Sequence, residues 1–171
     1  MVEGGRIDHA HHAGNAARAL EDTDAFDAAI ATALRMTDAA ETLIIVTADH
    51  SHTLAISGYP HRSNPILGLV ADAEGKPIIA QDGKPYTTLG YANGPGAIDA
   101  VRSDLTETNT QSIDYRQQAL VPMGAETHGG DDVAIFASGP YAHLFQGVVD
   151  QNFIYHVMAH ASSLPEKAGV N

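Results

Sequence analysis

The chain has 171 residues, of which 44% are hydrophobic and 18% charged, so it is long enough for a core of ordinary size and is not a disordered sequence. Its formal net charge of −12 at pH 7 argues against nucleic acid and anionic membrane surfaces as partners, since both require a basic patch. The absence of cysteine excludes structural zinc bound by thiolates and leaves histidines and carboxylates as zinc ligands. An anionic substrate stays compatible with this charge, because bound cations would dominate the local field.

The first twelve residues concentrate side chains that bind metal ions. If the chain turns helical after Gly5, Asp8 and His12 lie four residues apart on one helical face and can reach one divalent ion together. Glu3 lies on the other side of the turn and is a candidate ligand of a second ion. The spacing alone also allows an exposed helix start whose first turn is capped by Asp8.

An alanine-rich stretch and a short apolar run follow this cluster. Residues 13–37 are spaced as in one helix or two, and in the second case the two helices would be separated near Asp22 to Asp24. The β-branched run Leu43 to Thr47 predicts a buried parallel strand. Asp49 and His50 follow it, at the edge where open α/β sheets bind ligands. A polar loop with no ligand is the alternative.

The middle of the chain differs in composition from the two ends. From Gly58 to about Val121, glycine, proline, asparagine, serine and threonine punctuate the sequence, which predicts an inserted lobe of loops and short strands. The short strands are expected at residues 65–70, 78–80 and 86–89. The chain therefore divides into an α/β segment with candidate metal ligands (1–57), the inserted lobe (58–121) and a second α/β segment (122–171), which contains a further candidate ligand.

The last third returns to an α/β pattern. His128 lies in the glycine-rich stretch Glu126-Thr-His-Gly-Gly-Asp-Asp132 and is a third candidate for metal binding. An apolar run from Val133 to Ala137 predicts a strand. The apolar stripe between about Gln151 and Ser163 predicts a helix. No signal peptide and no membrane-spanning run is recognised.

Three motifs in a fixed order give the sequence a family resemblance. VEGGRIDHAHH at the start, then VTADHSH, then ETHGGDDVAIFASGP resemble the carboxyl-terminal part of an alkaline phosphatase. The similarity covers essentially the whole chain and includes NGPG at Asn93 to Gly96 and YRQQ at Tyr115 to Gln118. Each motif is moderately specific, whereas the ordered set is highly specific. The resemblance implies an α/β fold, a partial three-layer sandwich whose inserted residues form a crown-like lobe.

The resemblance also implies two zinc ions and one magnesium ion. The implied ligands are Asp8, His12 and His128 for one zinc, Asp49 and His50 for the second zinc, and Glu3 for magnesium. Magnesium is a hard ion that prefers oxygen ligands, which suits a glutamate. Metal identity is otherwise open, since such ligands also accept cobalt or manganese.

The same resemblance implies roles other than metal binding for two further histidines. His9 occupies a position close to the phosphate, which it would approach through water. His52 resembles a histidine that orients a zinc ligand through a hydrogen bond, and such a bond fixes the tautomer of the ring. No role is assigned to His11, His61, His143, His156 and His160.

The implied activity is hydrolysis of small phosphomonoesters. In the resembled family a zinc-bound serine takes the phosphoryl group and an arginine holds its oxygens. Both residues, a further zinc aspartate and the remaining magnesium ligands belong upstream of Met1 in family order. No catalytic residue is therefore assigned in this chain, Ser51 included, and the chain alone is expected to be inactive.

The resemblance extends to assembly and location. A homodimer of the complete enzyme and a periplasmic or extracellular location are what it implies. Two other functions remain open. One is a non-catalytic metal-binding or interaction module derived from the family, and the other is a related two-metal hydrolase acting on sulfate esters or phosphodiesters.

Overall fold

The computed structural model describes residues 1–98 and 100–164, and the chain divides into two compact units. The first unit contains Met1–Asp27 and His52–Gly130, and the second contains Ala28–Ser51 and the residues from Asp131 onward. The division into segments 1–57, 58–121 and 122–171 stays a prediction, of which residues 99 and 165–171 lie outside the described residues. No described helix combines the length and the apolar character that crossing a membrane requires.

The described residues contain three α-helices, one 3-10 helix and seven β-strands. The helices are α1 (Gly5–His12), α2 (Ala16–Met36) and α3 (Phe153–Ala161), and the 3-10 helix spans Ala142–Leu144. The strands are β1 (Ile44–Val46), β2 (Ser51–His52), β3 (Leu54–Ile56), β4 (Leu89–Gly94), β5 (Ala119–Pro122), β6 (His128–Gly129) and β7 (Phe136–Ser138). The mixed α/β composition agrees with the predicted class, while the three-layer sandwich and the crown lobe stay predictions.

The helices α1 and α2 form close to where the sequence predicts them. Helix α1 begins at Gly5, as expected. Helix α2 begins after Asn15, whose side-chain oxygen accepts a hydrogen bond of 3.0 Å from the backbone N–H of Arg18 and so caps the first turn. Helix α2 continues through Asp22 to Asp24, so of the two alternatives, one helix or two, the single helix is confirmed. Aspartate lowers helix propensity only slightly, and this cost does not end a helix of this length.

The strands β1 and β7 pair with each other in the second unit. They are antiparallel, with Ile45 opposite Ala137. The strand predicted at Leu43 to Thr47 is therefore present. The prediction that it is parallel is wrong, because β1 pairs antiparallel with β7. The prediction that it is buried is also wrong, because all residues of β1 are half-buried. An apolar run indicates that a strand packs against the protein core, but it does not determine the direction of the partner strand. Helix α3 lies within the helix predicted for this unit.

A three-stranded sheet lies in the first unit, with β4 between β3 and β5. Strand β4 is antiparallel to β3 and parallel to β5. Strand β4 is predicted only at its first residue, Leu89, because Gly90, Asn93 and Gly94 are residues that usually interrupt strands. Strand β5 is not predicted. The short strands predicted in the lobe are reduced to isolated bridges: Leu69 with Thr87, Ala71 with Pro77, and Ile79 with Pro85.

Gln117 is a buried polar side chain that fixes the start of α2. Its side-chain Oε1 accepts a hydrogen bond of 2.7 Å from the backbone N–H of Ala16. The backbone N–H of Gln117 donates to the carbonyl of Gly14 at 2.9 Å. Gln117 is 1% exposed and Ala16 is 0% exposed, so water does not replace this acceptor.

The Gln117→Met variant is expected to lower the free energy of unfolding by about 1–3 kcal/mol, because the buried N–H of Ala16 loses its partner. Urea denaturation followed by circular dichroism measures this change. The exposed Gln111 gives the matched control, and Gln111→Met is expected to change stability by less than about 0.5 kcal/mol. Equal costs for the two variants would contradict the role given to Gln117.

Candidate metal centre

Three side chains of the first unit bring their ligand atoms to one point. Helix α1 places Asp8 and His12 one turn apart, with Asp8 Oδ1 3.2 Å from His12 Nε2. Strand β6 brings His128, whose Nε2 is 3.2 Å from His12 Nε2 and 3.5 Å from Asp8 Oδ1. Residues separated by more than a hundred positions in the sequence therefore present one carboxylate and two imidazoles to the same space.

These three separations fit a divalent ion. With bonds of about 2.0–2.1 Å, the donor atoms around a tetrahedral zinc ion lie about 3.3–3.4 Å from one another. The observed separations of 3.2, 3.2 and 3.5 Å lie on either side of that value. Two imidazoles and one carboxylate are also the donor set of zinc sites that keep a fourth position open. The chemistry and the spacing of Asp8, His12 and His128 are both suitable for such an ion.

The orientation of His12 is fixed by the backbone of Glu126. His12 Nδ1 lies 2.5 Å from the carbonyl oxygen of Glu126, and the N–H of Glu126 donates to the carbonyl of His12 at 2.9 Å. Because a carbonyl oxygen only accepts hydrogen bonds, Nδ1 carries the proton of the neutral ring. The lone pair of Nε2 then faces the space shared with Asp8 and His128, as metal binding requires.

His52 lies against the same carboxylate of Asp8. Its Nε2 is 3.1 Å from Asp8 Oδ1, and its Nδ1 is 2.7 Å from Glu126 Oε2. The hydrogen bond expected between His52 and a metal-binding residue thus has a suitable geometry. The role of His52 in orienting Asp8 remains a prediction.

Glu126 is a buried carboxylate whose oxygens are held by several donors. Thr53 donates to Oε1 from its backbone N–H at 2.5 Å and from its hydroxyl at 2.7 Å. Burial alone would raise the pKa of Glu126, but the hydrogen bonds from Thr53 and His52 outweigh it and lower the pKa below its usual value. Glu126 is therefore ionised at neutral pH and accepts from both neighbours.

The loop that carries His128 is anchored to strand β4. Asn93 donates from its amide nitrogen to the hydroxyl of Thr127 at 2.9 Å and accepts from the N–H of Thr127 at 3.0 Å. This pair of bonds lies between Glu126 and His128 in the sequence, so it limits the movement of both. Asn93 of the NGPG motif thus holds the loop that carries His128 in place.

His11 packs on the far side of His52, although the sequence assigns it no role. The two rings stack with centroids 4.5 Å apart, and His11 Nδ1 is 2.8 Å from the hydroxyl of Tyr91. Burial, followed by repulsion from His52, lowers the pKa of His11 to about 4, so the ring is neutral at neutral pH.

Glu126 is a second residue of the site to which the sequence assigned no role. Its place two residues before His128 is the only sequence signal, and it is a weak one.

Asp49 and His50, expected to bind a second zinc, lie in the second unit. His50 Nε2 is 3.4 Å from Asp49 Oδ2, so the structure brings this pair together beyond the end of β1. The side chain of Asp49 is 81% exposed, and its carbonyl accepts a hydrogen bond from Gln151 at 3.1 Å. Their binding of an ion remains a proposal.

Glu3 and His9 are exposed residues of the first unit. The Glu3 carboxylate lies beside the first residue of α1, where a Cβ on Gly5 would come within 3.1 Å of Glu3 Oε1. His9 lies on α1 immediately after Asp8. The magnesium role of Glu3 and the phosphate role of His9 stay predictions.

The described residues combine a mixed α/β fold with a group of one carboxylate and two histidines that could hold a divalent ion. Residues 1–164 match the family model described as Alkaline phosphatase, and the chain belongs to the alkaline phosphatase family. The resemblance found in the sequence is therefore confirmed at the level of the family.

Individual relatives agree with the family assignment. The chain is 47% identical over 167 residues to "Alkaline phosphatase, tissue-nonspecific isozyme" of Rattus norvegicus, covering 96% of this chain and 31% of the relative. It is 46% identical over 166 residues to "Alkaline phosphatase" of Gadus morhua, covering 96% of this chain and 34% of the relative. For the tissue-nonspecific isozyme of Gallus gallus the identity is 45% over 172 residues, with coverages of 98% and 32%. The chain thus spans about a third of the length of these curated relatives.

Proposed function

We propose that this chain carries the metal-binding carboxyl-terminal portion of an enzyme that hydrolyses phosphate monoesters with two zinc ions and one magnesium ion. The observation that supports it is the convergence of Asp8, His12 and His128 at the spacing of a tetrahedral ion, in a chain of the alkaline phosphatase family. Zinc pairs supply a nucleophile at working pH and stabilise the leaving oxygen of an in-line displacement.

The proposed ligands are those that the family resemblance implies. Asp8, His12 and His128 hold one zinc, Asp49 and His50 hold the other, and Glu3 contributes to magnesium binding. His9 follows Asp8 directly in α1 and approaches the phosphate through water. The serine nucleophile and the phosphate-binding arginine are proposed to come from the polypeptide that precedes these motifs in the family.

The proposal includes the setting of the enzyme. Small phosphomonoesters are the proposed substrates, with no nucleic acid as partner, because the net charge is −12. A homodimer and a periplasmic or extracellular location are proposed from family membership.

The decisive experiment combines a metal count with an activity assay. Elemental analysis of the purified chain is run beside a phosphomonoesterase assay at alkaline pH with added zinc and magnesium, on this chain alone and on the chain joined to the upstream part of a family member. Bound zinc, no turnover by the chain alone and turnover after joining are expected. The Asp49→Asn variant of the joined protein is expected to lose turnover, whereas His156→Gln, an exposed position on α3, retains it.

Other outcomes decide between the remaining functions. Bound zinc without turnover even after joining would favour a non-catalytic metal-binding module. Turnover of sulfate esters or phosphodiesters in place of monoesters would favour a related two-metal hydrolase. Turnover that survives Asp49→Asn would indicate a contaminating phosphatase.

A further inference from the structure

Glu126 makes more contacts to the metal centre than any role assigned from the sequence explains. Its side chain is 0% exposed, and its Oε2 lies on the Nδ1 side of two histidines, 2.7 Å from His52 and 3.8 Å from His12. Its oxygens are occupied by Thr53 and by His52 Nδ1. A buried carboxylate with this set of donors is held rigidly, since each donor fixes one of its lone pairs.

The contacts of Glu126 continue to two residues of the site. Through its carboxylate it holds His52, whose other nitrogen lies 3.1 Å from Asp8 Oδ1. Through its backbone it holds His12 Nδ1 and pairs with the carbonyl of His12. Two residues further along the chain lies His128 itself. Glu126 therefore contacts His12 and His52 directly and lies two positions before His128 in the chain.

We infer that Glu126 is a positioning residue, which uses its carboxylate to hold His52 against Asp8 and its backbone to hold His12, so that the three metal ligands converge. This inference rests on the proposed metal centre. Carboxylates behind metal-binding histidines fix ring orientation and tautomer, and their loss weakens metal binding about 10–100-fold. Here the carboxylate of Glu126 acts through His52, which contacts the proposed ligand Asp8 and is not itself a proposed ligand.

The Glu126→Gln substitution isolates the side chain and leaves the backbone contacts in place. An amide has one accepting oxygen, whereas Thr53 N–H and His52 Nδ1–H are both donors that face the present carboxylate. The amide group is therefore expected to satisfy Thr53 and to turn its NH₂ towards His52. His52 then loses the carboxylate that accepts from Nδ1–H, and the charged contact that holds the ring beside Asp8 is removed.

The test measures zinc affinity by competition with a chromogenic chelator and follows the nitrogen NMR signals of His52. Zinc binding by Glu126→Gln is expected to weaken about 10–100-fold with unchanged stoichiometry. In a His52→Asn background the same substitution is expected to change the affinity by less than about threefold, because the route through His52 is already gone. Glu107→Gln, at an exposed carboxylate of the same unit, is the matched control and is expected to bind zinc as the wild type does.

Each result has a distinct meaning. A wild-type chain that binds no zinc overturns the proposed centre, whereas normal binding by Glu126→Gln overturns only the role of Glu126. Loss of one whole equivalent of zinc would make Glu126 a ligand, and an equal effect in the His52→Asn background would mean that it does not act through His52. The NMR spectrum of the wild-type chain needs no substitution, and an Nδ1 of His52 without a proton overturns the inference even if Glu126→Gln does not fold.

Discussion

Replacing His128 by alanine is expected to weaken zinc binding by the chain about 100-fold or more. Structural zinc sites bind with about 10–16 kcal/mol, so one ligand of three or four contributes several kilocalories. The side chain of His128 is 51% exposed, so its removal leaves little cavity and the fold is expected to persist. Competition with a chromogenic chelator measures the affinity, and circular dichroism checks that the variant is folded.

The matched control is His156→Ala, since His156 is an exposed histidine on α3. Its zinc affinity is expected to equal that of the wild type. Spectra of the cobalt-substituted chain add a second measure, because loss of an imidazole changes the ligand field of the metal. A His128→Ala variant that binds zinc as tightly as His156→Ala would contradict the assignment of His128 as a ligand.

The fold was predictable wherever a local pattern determines it. Helix α1 follows from the two glycines and the residues after them, and α3 from its apolar stripe. The direction of β1 was not predictable, because it depends on β7, about ninety residues later in the chain. Strand β4 was missed after Leu89, because its glycines and Asn93 usually interrupt strands. Asn93 nevertheless anchors the loop that carries His128.

The candidate site was predictable to a similar degree. Asp8 and His12 share a helical face, so their proximity follows from helix geometry. The position of His128 depends on tertiary structure, and only the family resemblance placed it in the same site. Glu126 gave only a weak signal and His11 gave none, since their contacts to His52 arise when α1, β2 and the loop before β6 pack together. Residues that position metal ligands are therefore the residues of a site that are hardest to predict from helix and strand spacing in the sequence.

Replacing Gly96 by alanine is expected to lower the free energy of unfolding by about 2–4 kcal/mol, the largest effect on stability of any substitution proposed. A Cβ at Gly96 would lie 2.0 Å from the carbonyl oxygen of Gln117. Backbone atoms cannot rotate away as a side chain does, so the clash must separate the two segments. The separation would break the 3.1 Å hydrogen bond from the N–H of Ala119 to the carbonyl of Gly96 and disturb the buried Gln117.

Two glycines of the same unit separate the possible causes. Gly124 has no atom within 4 Å of the added Cβ, so Gly124→Ala is expected to change stability by less than about 0.5 kcal/mol. Gly75 also has open space but a φ of +80°, so Gly75→Ala measures backbone strain alone and is expected to cost about 1 kcal/mol. Because the φ of Gly96 lies outside the left-handed region, its cost is attributed to the clash. Urea denaturation of the three variants tests this order, and a cost at Gly96 no greater than at Gly75 would show that the two segments separate easily.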